Sequence, residues 1–505
     1  MKILSSAQIR KADAYTITHE PIASHLLMKR AAEALFSWIT KRYDAQQKFE
    51  IFCGNGNNGG DGFALACLLK DAKYPVRIYH FDQQEFSPDA ARYREETLSK
   101  NIETILLDSN QPAFNPKPNS ILIDALFGTG LNRPVEGYYS TLIELMNESE
   151  HPIIAIDIPS GLASEQPVSS SKQHIVHADF TLSFQLPKLS FLFPENENLV
   201  GQWEILPIGL HPEGMKQLET PYELTEPEAL RSFLKERKRF DHKGKFGHSF
   251  LIAGGYGKIG AAILSGKACL RTGTGLLTIH VPRLGYEVVQ TSLPEAMVSI
   301  DSYDKLISKI PSTEHYSAVG IGPGIGKTRH TMQALADMMS KCVNPLVIDA
   351  DAINLIAENR ELIDLIPKGT ILTPHLKEFE RLVGPAANHY ERIQKQMEFA
   401  SQKEVIVVLK GAYTSIAEPG GKCYFNPSGN PGMAKGGSGD VLTGMIISFL
   451  SQGYSGIEAS RLAVYLHGRA GDIACHSIEP ECMLAGDIID CIGKAFKELK
   501  EFPRC

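Results

Sequence analysis

Short apolar runs recur along the chain and alternate with stretches of helical period. In the first half these are FEIFC, VRIYHF, SILIDALF, PIIAIDI and ADFTLSF, with DGFALACLLKDA carrying a helical pattern between the first two. Buried parallel strands read as continuous apolar blocks, and parallel neighbours need helical crossovers. The pattern predicts α/β architecture with parallel sheets. Residues 211–228, HPEGMKQLETPYELTEPE, mix Pro, Gly and charge without a period, after which alternation restarts with HSFLIAGG and runs through SAVGIG, LVIDAD, TILTP and VIVVLKG. A boundary is expected there, between one domain over 1–215 and another over 225–500. The length of 505 residues exceeds what one core holds. The halves carry unlike glycine motifs and show no repeat period, which predicts a fusion of different modules.

Charge narrows the function classes. The formal net charge is −7, with 51 basic against 58 acidic side chains, so no global field draws nucleic acid or an anionic membrane. The one basic run, LKERKRFDHKGK (234–245), reads as a solvated helix end leading into the second domain. Nine scattered cysteines without a C-x-x-C pair suit a reducing compartment. The start, MKILSSAQIRKADAYT, has no apolar signal core, and the longest apolar-rich run, VLTGMIISFL, is too short for a membrane span. A cytoplasmic location is expected.

Three glycine-rich stretches are candidates for holding phosphate. In CGNGNNGGDG, Gly54, Gly56 and Gly59 have G-x-G-x-x-G spacing after a strand and before a helix, with Asp82 at the distance of a ribose-binding acid. Asn57 and Asn58 add amides that a plain pyrophosphate turn lacks; their oxygens suit a cation and their N–H groups a ligand. VGIGPGIGKT (319–328) fails as a Walker loop because Ile321 stands where that motif needs glycine. In NPGMAKGGSGD, Gly436, Gly437, Ser438 and Gly439 precede Asp440 and an apolar helix. Backbone N–H groups at such a turn, reinforced by the helix dipole, form an anion hole. Asp440 then reads either as a base for a hydroxyl attacking phosphorus or as a helix N-cap. Its company favours the base: Asp349, Asp351, His375, Lys410 and Gly411 all end apolar runs, and the carboxyl ends of parallel strands are where α/β proteins bind ligands.

The C-terminal motifs HKGKFGHSFLIAGGYGKIGAA, PEAMV, GIGPGIG, IDADAIN, TPHLKEFERL, LKGAYT and NPGMAKGGSGDVLTG resemble those of the ribokinase-like, ADP-dependent NAD(P)H-hydrate dehydratases. GNGNNGGDG, IDALFGTGLNRPVEG and AIDIPSG resemble those of the NAD(P)H-hydrate epimerases, and the two together cover nearly the whole chain. The resemblance implies a Rossmann-like three-layer epimerase domain followed by a ribokinase-like dehydratase domain. It implies that Ala262, Gly326, His375 and Asp440 contact the hydrated nicotinamide nucleotide, while Lys410, Gly411, Ala412, Tyr413, Thr414 and Gly439 hold ADP. Magnesium is expected with the ADP. In the first domain it implies nucleotide contacts at Asn57, Asn58, Gly59, Gly60 and Asp61, at Gly128, Thr129, Gly130, Leu131, Asn132, Arg133 and Pro134, and at Asp157. It further implies a potassium ion held by Asn58, Asp124 and Ser160. Asp157 is the candidate acid or base of epimerisation, with Lys188 a second candidate. Lys377 stands where the family often has glycine. The expected ligands are hydrated NADH and NADPH with ADP, not nucleic acid or membrane, and a homo-oligomer is expected. Two rivals share these motifs: a vitamin or sugar kinase on the ribokinase-like fold, and a nucleotide sensor without catalysis in the first domain.

Overall fold

The computed structural model describes residues 1–81, 85–131, 133–165 and 174–503; Asp82, Asn132 and Cys505 lie outside the described residues. The chain forms two compact units. The first is Lys2–Thr220 with Asn388–Tyr390; the second is Met1, Pro221–Ala387 and the chain from Glu391 onward.

In the first unit, β1 (Lys48–Cys53), β2 (Val76–Phe81), β3 (Glu103–Leu107), β4 (Ser120–Ala125), β5 (Ile153–Ile156), β6 (Phe180–Phe184) and β7 (Gln202–Leu206) make one sheet in the order β3-β2-β1-β4-β5-β6-β7. Every pairing is parallel. Met28, Leu35, Trp38 and Phe63 belong to one core cluster, and Phe52, Tyr79, Leu142 and Met146 to another. The central strands are buried on both faces, which explains their mostly apolar sequences. Strand order reverses between β1 and β4, so their carboxyl ends open a crevice.

The helix after β1 spans Asn57–Asp71, four residues earlier than the apolar pattern from Asp61 suggests. Gly59, Gly60 and Gly62 are therefore helical. Without side chains they let the helix lie close on its surroundings: a Cβ at Gly59 would run into the carbonyl oxygen of Gly54, and one at Gly62 would sit 2.7 Å from the Ala125 Cβ.

The second unit contains β8 (Tyr222–Leu224), β9 (His248–Ile252), β10 (Leu276–Val281), β11 (Met297–Ile300), β12 (Ala318–Ile321), β13 (Leu346–Ile348), β14 (Ile371–Leu372), β15 (Ile406–Leu409), β16 (Ser415–Ala417) and β17 (Cys423–Phe425). Their order is β11-β10-β9-β12-β13-β14-β15-β16-β17-β8. Pairings from β11 to β15 are parallel; β16 pairs antiparallel with both neighbours, and β8 runs parallel to β17. The aperiodic stretch 211–228 is built rather than loose, with a helix over Pro212–Lys216, strand β8, and a second helix starting at Pro227. Both prolines open their helices, where a missing N–H costs nothing. Among the described residues no helix is long and apolar enough to cross a membrane.

Candidate functional site

In the first unit the crevice beyond β1 and β4 holds a cavity of about 420 Å³. The helix Asn57–Asp71 offers Asn57, Asn58 and Asp61 to it; the segment after β4 offers Gly128, Thr129, Gly130 and Leu131; the end of β5 offers Asp157. These are eight of the positions expected from the sequence. Gly59 and Gly60 are turned into the packing, where a Cβ at Gly60 would meet the Met28 side chain. Arg133 and Pro134 are exposed and do not line the cavity. Asn132 is outside the described residues.

Beneath the cavity floor Asp124 and Ser160 are fully buried and bonded together. The Ser160 hydroxyl donates to Asp124 Oδ1 at 2.6 Å, the Ser160 N–H donates to Oδ2 at 2.7 Å, and the Leu126 N–H adds a third bond at 3.1 Å. Burial pushes the Asp124 carboxyl up to about 6, against the pull of those bonds. Asn58 packs beside Gly128 and is 7% exposed, yet its Nδ2 has no hydrogen-bond partner among the described residues. Its amide is thus a buried polar group still awaiting a ligand.

Asp157 is held tightly. Its φ is +64°, a left-handed conformation that Asp tolerates better than most residues, and its N–H donates to the Leu182 carbonyl. Its Oδ1 accepts from the Phe184 N–H at 3.0 Å and from Lys188 Nζ at 2.7 Å. Lys188 is buried, and its other bonds go to Ser183 Oγ at 2.8 Å and the Leu186 carbonyl at 3.3 Å. Sequence reasoning passed over Arg10 and Asp13, which the helix Ser6–His19 also brings to the cavity. They sit in a mostly polar helix, so no periodicity marks them.

In the second unit the polar strand ends converge as expected. Lys410, directly after β15, forms an ion pair with Asp349, after β13, at 2.8 Å; Asp349 is 1% exposed and also accepts from Thr443 Oγ1 at 2.7 Å. His375 bridges to Lys410 in parallel, which sets the ends of β14 and β15 side by side. Asp351 accepts from the Gly326 N–H at 2.9 Å and pairs with Lys258 at 3.0 Å. The His375 Nδ1 caps its own helix by accepting from the Lys377 and Glu378 N–H groups, and the Glu378 carboxylate accepts from the His375 N–H at 2.9 Å. Lys377 thus contributes only its backbone to this cap, so the substitution leaves the cap intact. Gly411, Ala412, Tyr413 and Thr414 form the turn after Lys410, tied by Thr414 Oγ1 and Gly411. Ala262 is fully buried, under Gly254.

The N-cap reading of Asp440 is corrected. The helix spans Ser438–Ser451 and Gly437 is its cap, at φ +98°, so Asp440 is the third helical residue. Gly439 lies against the ion pair: a Cβ there would sit 3.2 Å from Lys410 Nζ and 4.0 Å from Asp349 Oδ2. Burial pushes the Asp440 carboxyl up to about 6, with Asp349 and Asp351 reinforcing and Lys410 opposing. His467 was not read from the sequence. Burial lowers its imidazole to about 4, its ring bonds the backbone at Ser438, and its Nε2 has no partner among the described residues.

Two parallel α/β units with ligand groups at the carboxyl ends of their strands, one Rossmann-like and one ribokinase-like, define a two-site nucleotide enzyme. A family model described as NAD(P)H-hydrate dehydratase matches residues 249–494, and one described as YjeF-related protein N-terminus matches residues 24–190. The bifunctional NAD(P)H-hydrate repair enzyme Nnr of Moorella thermoacetica is 31% identical over 522 residues, covering 99% of this chain and 98% of that one. The enzyme of the same name from Escherichia coli is 32% identical, covering 93% and 88%. A solved Bacillus subtilis structure, an ADP/ATP-dependent NAD(P)H-hydrate dehydratase co-crystallised with ATP and Mg2+, is 34% identical with a TM-score of 0.50; it covers 55% of this chain and 98% of its own. The chain belongs to the bifunctional NAD(P)H-hydrate repair enzymes.

Proposed function

We propose that the second unit dehydrates one epimer of hydrated NADH and NADPH at the expense of ADP, and that the first unit interconverts the two epimers so that both are repaired. The observation carrying this reading is Asp440: a carboxylate with a raised pKa, one residue beyond Gly439, which itself abuts the Lys410–Asp349 pair. Hydration leaves a hydroxyl on the sixth ring carbon, and hydroxide is a poor leaving group. Asp440 takes the hydroxyl proton as the oxygen attacks the β-phosphorus of ADP, and AMP leaves. The N–H groups of the Gly436–Gly439 turn and Lys410 stabilise the transferring phosphoryl group. Phosphate then departs with the C–O electron pair, the ring nitrogen supplies electrons, and loss of a proton from the neighbouring carbon restores the dihydropyridine. Gly411–Thr414 hold the adenosine side, and His375 and Gly326 the hydrated nucleotide. Asp349, Asp351 and Asp440 would offer carboxylate oxygens to magnesium, which would offset the charge of the diphosphate.

In the first unit the nucleotide occupies the 420 Å³ cavity, with Asp157 as a proton-transfer group that Lys188 orients. A potassium ion would suit Asn58, Asp124 and Ser160: all offer oxygen, and Asp124 is a fully buried carboxylate. The test of the whole reading is to incubate the purified chain with hydrated NADPH, ADP and magnesium and follow the absorbance of the reduced nicotinamide. Recovery with stoichiometric phosphate supports it; a phosphorylated nucleotide that accumulates favours the kinase rival.

A further inference from the structure

The first-unit cavity contains more acid chemistry than one oriented aspartate. Asp13 reaches it from the helix Ser6–His19, Asp61 from the helix Asn57–Asp71, and Asp157 from the end of β5. The last two are differently placed from the first. Asp157 is fixed by Lys188 and the Phe184 N–H, and Asp61 is 9% exposed in the first turns of its helix. Asp13 makes no hydrogen bond or ion pair among the described residues, so its carboxyl is left to the cavity. The unpartnered Asn58 Nδ2 on the same wall independently marks the cavity as built for a polar ligand.

The charges around Asp13 set its protonation. Burial pushes it up to about 6, the Asp157 carboxylate adds to this, and Lys188 opposes. Asp61 is driven well above the usual carboxylate range by burial, then by Asp157, Asp13 and Asp89. Arg10 is the other charged residue on the cavity wall. A carboxyl without a protein partner among the described residues on the cavity wall is free to donate a proton, while one bonded to a lysine ammonium and a backbone N–H is held as an acceptor; two groups placed in this way form an acid–base pair.

We infer that Asp13 is the general acid and Asp157 the general base of epimerisation. This deepens, and rests on, the reading of the first unit as an epimerase. Protonated Asp13 gives its proton to the hydroxyl on the sixth ring carbon. The C–O bond breaks with its electron pair leaving as water, and the ring-nitrogen lone pair forms the C=N bond of an iminium. A water molecule adds to the opposite face, re-forming C–O and returning the C=N pair to nitrogen, and Asp157 takes the proton that this water sheds. The two aspartates end with exchanged protonation, ready for the reverse direction or reset by solvent.

The experiment measures epimer interconversion directly, by chromatographic separation of the two hydrates, for the full chain and for Asp13→Asn and Asp13→Glu. Asparagine replaces a carboxyl that makes no hydrogen bond or ion pair among the described residues, so the cooperative melting of the first unit is expected to be retained. Asp13→Asn is expected to lower kcat at least about a hundredfold with KM within about threefold, and to remove the fall in rate at alkaline pH that deprotonation of the acid causes. Asp13→Glu restores part of the rate and that alkaline limb. An Asp13→Asn chain with wild-type kcat and an unchanged pH profile overturns the assignment, as does a loss confined to KM. A wild-type chain that interconverts no epimers, while still dehydrating one, overturns the epimerase reading itself and the assignment with it.

Discussion

The two sites stand at the same place in related architectures yet solve opposite electrostatic problems. In the second unit two of the carboxylates beyond β13 have a cation close by: Lys410 on Asp349 and Lys258 on Asp351. Such a site is prepared to receive several negative charges. The first unit gathers Asp13, Asp61 and Asp157 at one cavity where only Asp157 is bonded to a buried lysine, and burial leaves the other two reluctant to ionise. That site is prepared to move protons. The contrast teaches that strand-end geometry gives both units a place to bind, while the ratio of lysine to aspartate decides whether phosphoryl or proton transfer follows.

The largest effect separating the two should come from Asp440→Asn. Dehydration is expected to fall at least about a hundredfold, with epimerisation unchanged; steady-state assays of each reaction check it. Retained dehydration would remove Asp440 as base. Next, Lys410→Met leaves Asp349 buried without its cation. We expect a loss of about 3 kcal/mol in unfolding free energy of the second unit, read by denaturant titration, together with a raised KM for ADP. Gly437→Ala forces a Cβ onto a residue at φ +98°, 2.7 Å from Leu264 Cδ1 and 3.1 Å from Ala485 Cβ. It should cost about 1–2 kcal/mol and slow dehydration without touching epimerisation.

Acidity sharpens the comparison further. Asp440 must be ionised to act as base, so the dehydration rate should decline as pH falls through about 6. Stability responds with the opposite sign. Folded Asp440 binds its proton more tightly than an unfolded aspartate, so its contribution to stability falls as pH rises from the ordinary value of 3.8 to about 6. Asp440→Asn should flatten that segment of the pH–stability curve of the second unit. The smallest effect is expected at the ion site: potassium should raise the epimerisation rate or nucleotide affinity several-fold in the wild type, and Asp124→Ala should abolish the response.

What the sequence made legible follows from what is buried on both sides. The central strands announce themselves because most of their positions are apolar, and Asp349, His375 and Lys410 then stand out at their ends. Strands β3 and β7 escape notice because they edge the sheet and most of their positions are partly or fully exposed. Glycine runs misled about helix starts: Asn57 and Ser438 begin helices inside segments whose composition reads as turn, since close packing, not local propensity, selects glycine there. Asp13 and His467 were invisible for another reason. Each is one polar residue in an ordinary helix, and only the fold brings Asp13 to the Asp157 cavity and His467 to the backbone of Ser438.

The central claim is that two independent sites act in sequence on one substrate, and mixing two disabled chains tests it most directly. Asp157→Asn and Asp440→Asn are each supplied with an equal mixture of both hydrate epimers of NADPH, with ADP and magnesium, separately and then together. Asp440→Asn alone should consume neither epimer, and Asp157→Asn alone should consume one and stall. The mixture should carry both epimers to NADPH. A mixture that stalls where Asp157→Asn stalls, or an Asp157→Asn chain that consumes both epimers at wild-type rate, would contradict the account.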